Sequence, residues 1–182
     1  MNTAIDPQAI VNRSIGFLRL DDATYEEVEH DTNGTAQAAV IVVVTSIAAG
    51  IGGLGEGGLG FIAALVVGII SWFITSYAIY FIGTRLLASS QTQADVGQLL
   101  RVVGFASVAG IVNVIGFIPV LGPLLAFAAG IWGIVMTVKG VRHALEMSTG
   151  RAIVTSIAGW LVAGIIAAII FAILGVDVGV NR

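Results

Sequence analysis

The sequence contains no cysteine and few charged side chains. Only 10% of its 182 residues are Asp, Glu, Lys or Arg, whereas 57% are apolar or aromatic, and the mean hydropathy is +1.01. A water-soluble domain carries about 25% charged residues, so this chain lacks the polar groups that would cover a surface in water. The missing cysteines exclude disulfide bonds and thiol chemistry. Nucleic-acid binding is not expected either, because it needs basic residues clustered on a soluble surface.

Three long stretches, 57–84, 102–138 and 152–176, contain no Asp, Glu, Lys, Arg or His. Proton-coupled pumps and ion carriers usually need such groups at membrane depth, so a carrier of charged substrates is not expected. The spacings of a nucleophile elbow, a zinc protease or a P-loop are also missing. We therefore expect a protein that is not an enzyme and that needs no cofactor.

Four apolar blocks follow a polar N-terminal segment, residues 1–34. The first block, 35–54, has twenty residues without a charge and matches a hydrocarbon core of roughly 30 Å at about 1.5 Å per residue. The uncharged block 102–138 would extend about 55 Å as one helix, which is too long for one crossing. Glycine and proline interrupt it at Gly116, Pro119, Gly122 and Pro123. We therefore divide it into two helices joined by a tight turn.

The predicted fold is thus an all-α polytopic membrane protein with five transmembrane helices. The membrane domain is expected over residues 35–176, with spans at about 35–54, 59–83, 97–118, 121–138 and 152–175, followed by an external tail, 177–182. A re-entrant hairpin made of the third and fourth helices stays open as an alternative.

The basic residues predict the orientation in the cell membrane. They are Arg13, Arg19, Arg85, Arg101, Lys139, Arg142, Arg151 and Arg182. With five helices and a cytoplasmic N-terminus, the first seven lie in the cytoplasm and only Arg182 lies outside. Lys and Arg are enriched in short cytoplasmic loops, so the pattern predicts the N-terminus inside and the C-terminus outside.

The N-terminal segment is expected to form an amphipathic helix that lies in the cytoplasmic interface or against the bundle. On a helical wheel, one side carries Ile10, Val11, Ile15, Phe17 and Leu18, and the other carries Gln8, Asn12 and Arg19. Asp21 and Asp22 offer caps for a short second helix.

Two Glu/His pairs are the candidate metal ligands. Glu27 and His30, and likewise His143 and Glu146, lie one helical turn apart, and both pairs are predicted on the cytoplasmic side. If the N-terminal segment folded against residues 139–152, these four side chains would surround a divalent metal ion. In the alternative, all four are solvated polar residues beside membrane helices.

Five cations are candidates for contact with an anionic lipid headgroup or with the acidic face of a partner: Arg85, Arg101, Lys139, Arg142 and Arg151. In the alternative, these cations only set the orientation of the chain in the membrane and bind no ligand. Asn113 is the only carboxamide well inside a predicted span, and it either lines a solute path or makes an interhelical hydrogen bond. Small residues four apart favour either homo-oligomer formation or packing within the bundle.

The sequence resembles bacterial members of the Yip1 domain family. The resemblance is carried by the N-terminal helix, by DDATYEEV at 21–28, and by 101–162, which includes GFIPVLGP and KGVRHALEMSTGRA. It implies a five-helix integral membrane protein with a cytoplasmic N-terminus. Eukaryotic relatives work in early secretory trafficking and contact small GTPases, but this chain lacks their Asp-Leu-Tyr-Gly-Pro motif, so GTPase binding is not expected.

Three functions are compatible with these observations. The first is a non-enzymatic scaffold that assembles with lipids, with a second copy or with another membrane protein. The second is a small channel or carrier for a neutral solute or a metal ion. The third is a membrane protein that binds a metal through the two Glu/His pairs.

Overall fold

Seven α-helices run through the part of the chain that the structure describes. The computed structural model describes residues 5–53, 58–88, 92 and 94–174, and this part contains no strand. The helices are α1 (Pro7–Leu18), α2 (Asp22–His30), α3 (Gly34–Gly52), α4 (Gly58–Phe81), α5 (Val96–Ala106), α6 (Leu121–Ala144) and α7 (Thr149–Leu174). The tail predicted at 177–182 lies outside the described residues, as does Arg182.

Side-chain caps define where the helices outside the apolar blocks begin. The carboxylate of Asp6 accepts the Gln8 backbone N–H at 2.9 Å, and Pro7 takes the first position of α1. Asp21 caps α2 in the same way by accepting the N–H of Thr24 at 3.0 Å. The predicted start of the second helix at the Asp pair is therefore confirmed.

Within the described part of the chain, five helices are long and apolar enough to cross a membrane, in agreement with the sequence. The candidate spans are Gly34–Gly52, Leu65–Leu86, Val96–Ile115, Leu121–Ala144 and Thr149–Ile166. A short π-helix, Ile82–Leu86, ends the second span. The all-α polytopic fold is confirmed.

The third span changes its helix type halfway. After α5, residues Ser107–Ile115 form a 3₁₀-helix, which rises about 2.0 Å per residue instead of about 1.5 Å. Arg101 contacts the first residue of α3, Gly34, and the Asn113 carbonyl contacts the last, Gly52. With the steeper rise of its 3₁₀ half, the third span, Val96–Ile115, extends about 33 Å, compared with about 27 Å for α3. The third span is therefore at least as long as α3, which favours a full crossing over a re-entrant hairpin.

A tight glycine and proline turn joins the third and fourth spans, as predicted. Gly116 and Gly122 approach so closely that a Cβ on Gly122 would lie 2.5 Å from the Gly116 carbonyl oxygen. Val120 adopts a left-handed backbone with φ of 69°, which is strained for a β-branched residue.

The stretch 139–152 differs from its predicted form. The helix α6 continues to Ala144 instead of ending at 138, and α7 begins at Thr149 instead of 152. Basic side chains are favourable in the last turn of a helix, where Arg142 and His143 lie, because they face the negative end of the helix dipole. This stretch is therefore two helix ends and a short turn rather than a loop.

The largest fully buried side chains gather at one end of the bundle. There α1 and α2, together called the N-terminal hairpin, pack against α5 and α6. We call this end, where α3, α5 and α7 begin and α4 and α6 finish, the docked end. Its core contains Phe17, Tyr25, Leu99, Phe105, Val141 and Leu145.

Candidate functional site

Aromatic rings fix the N-terminal hairpin to the bundle. Phe17 of α1 and Tyr25 of α2 have ring centroids 3.9 Å apart, and Phe17 lies 5.2 Å from Phe105 of α5. All three side chains are fully buried, and the Tyr25 hydroxyl donates a hydrogen bond to the Phe17 carbonyl at 3.3 Å. Burial of such large apolar rings is a main source of stability. The predicted contact of the N-terminal segment with the bundle is therefore present, and it is part of the core.

Paired charges anchor the start of α2 to α6. The Oδ1 atom of Asp22 lies 3.0 Å from Lys139 Nζ and 2.9 Å from His143 Nε2. Lys139 also donates a hydrogen bond to the carbonyl of Leu20. The hydrogen bonds from Lys139 and His143 hold the pKa of Asp22 below its ordinary value. At the start of α2, both the Asp22 carboxylate and the Leu20 carbonyl therefore have partners on α6.

A buried arginine anchors the end of α2. Arg101 of α5 is only 5% exposed, and its Nε donates a hydrogen bond to the main-chain carbonyl of Glu29 at 3.0 Å. A terminal nitrogen of the same guanidinium bonds the same oxygen. A cation of this kind tolerates burial only when its donors are satisfied, so Arg101 is a structural clamp.

A second arginine ties α1 to the helices beside it. Arg13 lies 2.6 Å from Glu27 Oε1 and 2.8 Å from Asp31 Oδ2, and it donates a hydrogen bond to Gln37 Oε1 at 2.8 Å. Four side chains from three parts of the chain thereby meet. Sequence reasoning did not identify this network, because its members share no spacing that would single them out.

A pocket of about 390 Å³ lies between the end of α2 and the end of α6. Its ionisable lining residues are Glu26, Glu29, His30, Arg142, His143 and Glu146. The Glu29 side chain is 7% exposed, and its Oε2 is buried with no hydrogen-bond partner among the described residues. Burial raises the pKa of Glu29 to about 7. This unpartnered carboxylate oxygen distinguishes the pocket from the rest of the docked end.

Three of the four predicted metal ligands line this pocket, and the fourth does not. His30, His143 and Glu146 are present, but Glu27 turns away to Arg13, which is its ion-pair partner. The helical phase of α2 causes this, since burying Tyr25 places Glu26 and Glu29, rather than Glu27, beside the pocket. Among the described residues no three His, Cys, Asp or Glu side chains are grouped closely enough to hold a metal ion. Metal binding stays a prediction.

The five candidate lipid or partner cations fall into two groups. Arg101 and Lys139 are engaged inside the protein and are not free to bind a headgroup. Arg85, Arg142 and Arg151 are exposed, and their guanidinium groups have no ion pair or hydrogen bond with any other described residue. Arg142 additionally borders the acidic pocket.

A cavity of about 560 Å³ lies in the middle of the bundle and is lined by all five spans. Its polar lining includes Thr45, Ser107 and Thr137, whose hydroxyls donate to carbonyls of their own helices. Five further lining residues have side chains without a hydrogen bond to any described residue: Ser46, Ser71, Thr75, Asn113 and Trp160. The Asn113 side chain borders the cavity and makes no interhelical hydrogen bond with another described residue.

Comparison with known proteins identifies one family. No curated protein and no solved structure matches the chain. The model of the Yip1 domain matches residues 15–171, a range that begins within α1 and includes all five spans. Because the match extends over the hairpin contact, the glycine and proline turn and both ends of the stretch 139–152, this chain belongs to the Yip1 domain family.

Proposed function

We propose that this protein acts without catalysis, as a membrane-embedded scaffold that assembles with lipids and with membrane proteins or further copies of itself. The single observation that carries the proposal is the outer face of α1. Val11, Ile15 and Leu18, at i, i+4 and i+7, are 51%, 40% and 39% exposed, although the opposite side of α1 is packed on the bundle. An apolar stripe of this kind beside a polar one is typical of a helix that lies in the membrane interface.

The charges of the docked end support the same proposal. Arg19, Arg85, Arg142 and Arg151 are exposed and, among the described residues, unpaired. Exposed cations next to an apolar surface attract anionic lipid headgroups. All described basic residues lie at the docked end, so we also propose that this end faces the cytoplasm.

Single cysteines test the position of α1, because the chain has no native cysteine. Spin labels on Ile15→Cys and, as the matched control, Asn12→Cys are compared in lipid vesicles. We expect the label at 15 to be accessible to oxygen dissolved in the bilayer and the label at 12 to a water-soluble relaxation agent. Equal water accessibility of both labels would contradict the interfacial position.

Assembly itself is tested by isolating the full chain from native membranes in mild detergent. We expect stoichiometric lipid, a second copy or a protein partner, and less of it after Val11→Ser, Ile15→Ser and Leu18→Ser are combined. The control combines Gln8→Ser with Asn12→Ser on the polar side of α1. Isolation of a lipid-free monomer without a protein partner would contradict the proposed scaffold function.

A second candidate function is passage or binding of a neutral solute, and the central cavity favours it. The cavity is uncharged among its described lining residues and offers the unpartnered Asn113 carboxamide and the Ser71 and Thr75 hydroxyls. Liposomes with the purified protein would be permeable to a small neutral solute such as glycerol, and Asn113→Leu would remove that permeability. If these vesicles were no more permeable to the solute than protein-free vesicles, the channel function would be excluded and the scaffold function would stand.

A further inference from the structure

Glutamates outnumber the permanent cations on the lining of the pocket between α2 and α6. Glu26, Glu29 and Glu146 line it together with Arg142 and the two histidines, His30 and His143. The buried Oε2 of Glu29 accepts no hydrogen bond from the described residues. An unpartnered buried carboxylate oxygen costs free energy, so it favours a ligand that brings a hydrogen-bond donor.

The turn that ends α6 places Glu146 on the same pocket. Glu146 has a φ of 47°, in the left-handed region that glycine adopts without strain. Its N–H donates to the His143 carbonyl at 3.0 Å and the Met147 N–H donates to the Arg142 carbonyl at 3.2 Å, so this residue closes the helix end. The strained residue places a third carboxylate on the lining of the pocket.

An apolar groove adjoins the pocket at Arg142. This groove, of about 470 Å³, runs between α6 and α7 and is lined by Ile134, Val135, Val138, Ile153 and Ile157. Lys139, Arg142 and Thr149 line it as well, at the docked ends of the two helices. Arg142 therefore borders both an apolar groove suited to hydrocarbon chains and an acidic pocket suited to a cation.

We propose that the docked end binds a phospholipid with a primary ammonium headgroup. The ammonium group enters the acidic pocket and donates to Glu29 and Glu146, the phosphate binds Arg142, and the acyl chains lie in the groove between α6 and α7. A guanidinium matches phosphate oxygens in charge and geometry. The inference rests on the proposed assembly with lipids and names the lipid class.

An ammonium group fits the pocket better than a metal ion does. Metal binding needs several ligand atoms converging on one point, and the described residues show no such group. An ammonium group needs only acceptors at hydrogen-bond distance, and it carries three N–H donors. A quaternary ammonium lacks these donors, so the pocket distinguishes ethanolamine from choline headgroups.

Native mass spectrometry of the full chain tests this inference. The protein in detergent is offered phosphatidylethanolamine, phosphatidylcholine and phosphatidylglycerol with identical acyl chains at equal concentration. We expect about tenfold preferential retention of the ethanolamine lipid over the choline lipid, the ratio that corresponds to one charged hydrogen bond. Arg142→Gln should reduce retention of all three lipids. Arg151→Gln, a control outside both the pocket and the groove, should leave retention of the ethanolamine and choline lipids unchanged.

Two variants separate binding from folding. Glu146→Gly relieves the left-handed strain, so it should not lower the melting temperature, yet it should reduce the ethanolamine preference. Glu29→Gln keeps the side-chain shape and should also reduce the preference. Equal retention of ethanolamine and choline lipids, or an unchanged preference in both variants, would overturn the proposal that the pocket binds the ammonium group. If lipid or partner assembly persists in that case, the proposed function stands; if neither is retained, it fails too.

Discussion

Polar side chains are paired in the core of the docked end, whereas several around the cavity in the middle of the bundle are not. At the docked end, Arg101 and Asp22 have close partners and the aromatic side chains are fully buried. In the middle, a cavity of about 560 Å³ is bordered by groups such as Asn113 that have no partner among the described residues. Unpaired polar groups are costly in an apolar environment, whereas paired ones hold helices together. The aromatic core and the paired charges of the docked end therefore stabilise the fold. The central cavity and the acidic pocket beside α2, where polar groups lack partners among the described residues, have the features of binding sites.

Removal of the buried clamp is expected to have the largest effect. Arg101→Leu leaves the Glu29 carbonyl without its donor and should reduce the free energy of unfolding by about 3 kcal/mol. Thermal unfolding in detergent measures the loss, and faster proteolysis before residue 31 would show that the N-terminal hairpin has detached. Arg151→Leu, an exposed arginine at the same end, is the control, and an equal loss in both variants would contradict the clamp.

Two glycines allow a direct comparison of the close contact between α3, α4 and α5 with the border of the central cavity. A Cβ on Gly104 would lie 2.7 Å from the Ala38 Cβ and 3.0 Å from Trp72 Nε1, whereas a Cβ on Gly130, beside the cavity, would meet nothing within 4 Å. Gly104→Ala should therefore destabilise the protein by about 2 kcal/mol through overpacking. Gly130→Ala should stabilise it by up to about 1 kcal/mol, since alanine favours the helix. If both substitutions changed the melting temperature in the same direction, the predicted difference in packing between the two sites would be contradicted.

Replacement of the cavity carboxamide should stabilise the bundle slightly. Asn113→Leu removes an unpartnered polar group from a half-buried site and should raise the free energy of unfolding by about 1 kcal/mol. Asn113→Asp, of similar size, is the matched variant and should lower it. A destabilised Asn113→Leu variant would mean that the carboxamide has a structural role after all.

The pH dependence should have opposite signs at the two ends of α2. The pKa of Asp22 is lowered, so its contribution to stability is present above its ordinary range and is lost as the pH falls. Burial raises the pKa of Glu29 to about 7, so its contribution is complete below about pH 4.5 and is lost as the pH rises to about 7. Melting temperatures between pH 3 and 8 should show less acid loss in Asp22→Asn and less decline toward neutral pH in Glu29→Gln. Unchanged profiles would contradict these assignments.

Much of the architecture follows from the sequence, because the membrane imposes strong constraints. Uncharged runs of about 20 residues must form helices in lipid, and the Gly116–Pro123 region must break the longest run. The candidate site was less predictable. The spacing of Glu27 and His30 places both on neighbouring turns, but the burial of Tyr25 decides which glutamates face α6. Arg101 resembles the free cations in sequence, and only its contact with the Glu29 carbonyl distinguishes it.

By itself, the sequence determined a five-helix membrane protein with all but one of its basic residues at one end, and a family resemblance that the domain match bears out. It did so because hydrophobic length and helix-breaking residues act locally along the chain. Only the tertiary structure decided which carboxylates are paired, that Asn113 borders a cavity, and that Arg142 joins a groove to an acidic pocket. These features depend on the relative rotation and depth of packed helices, which arise from contacts between residues far apart in sequence.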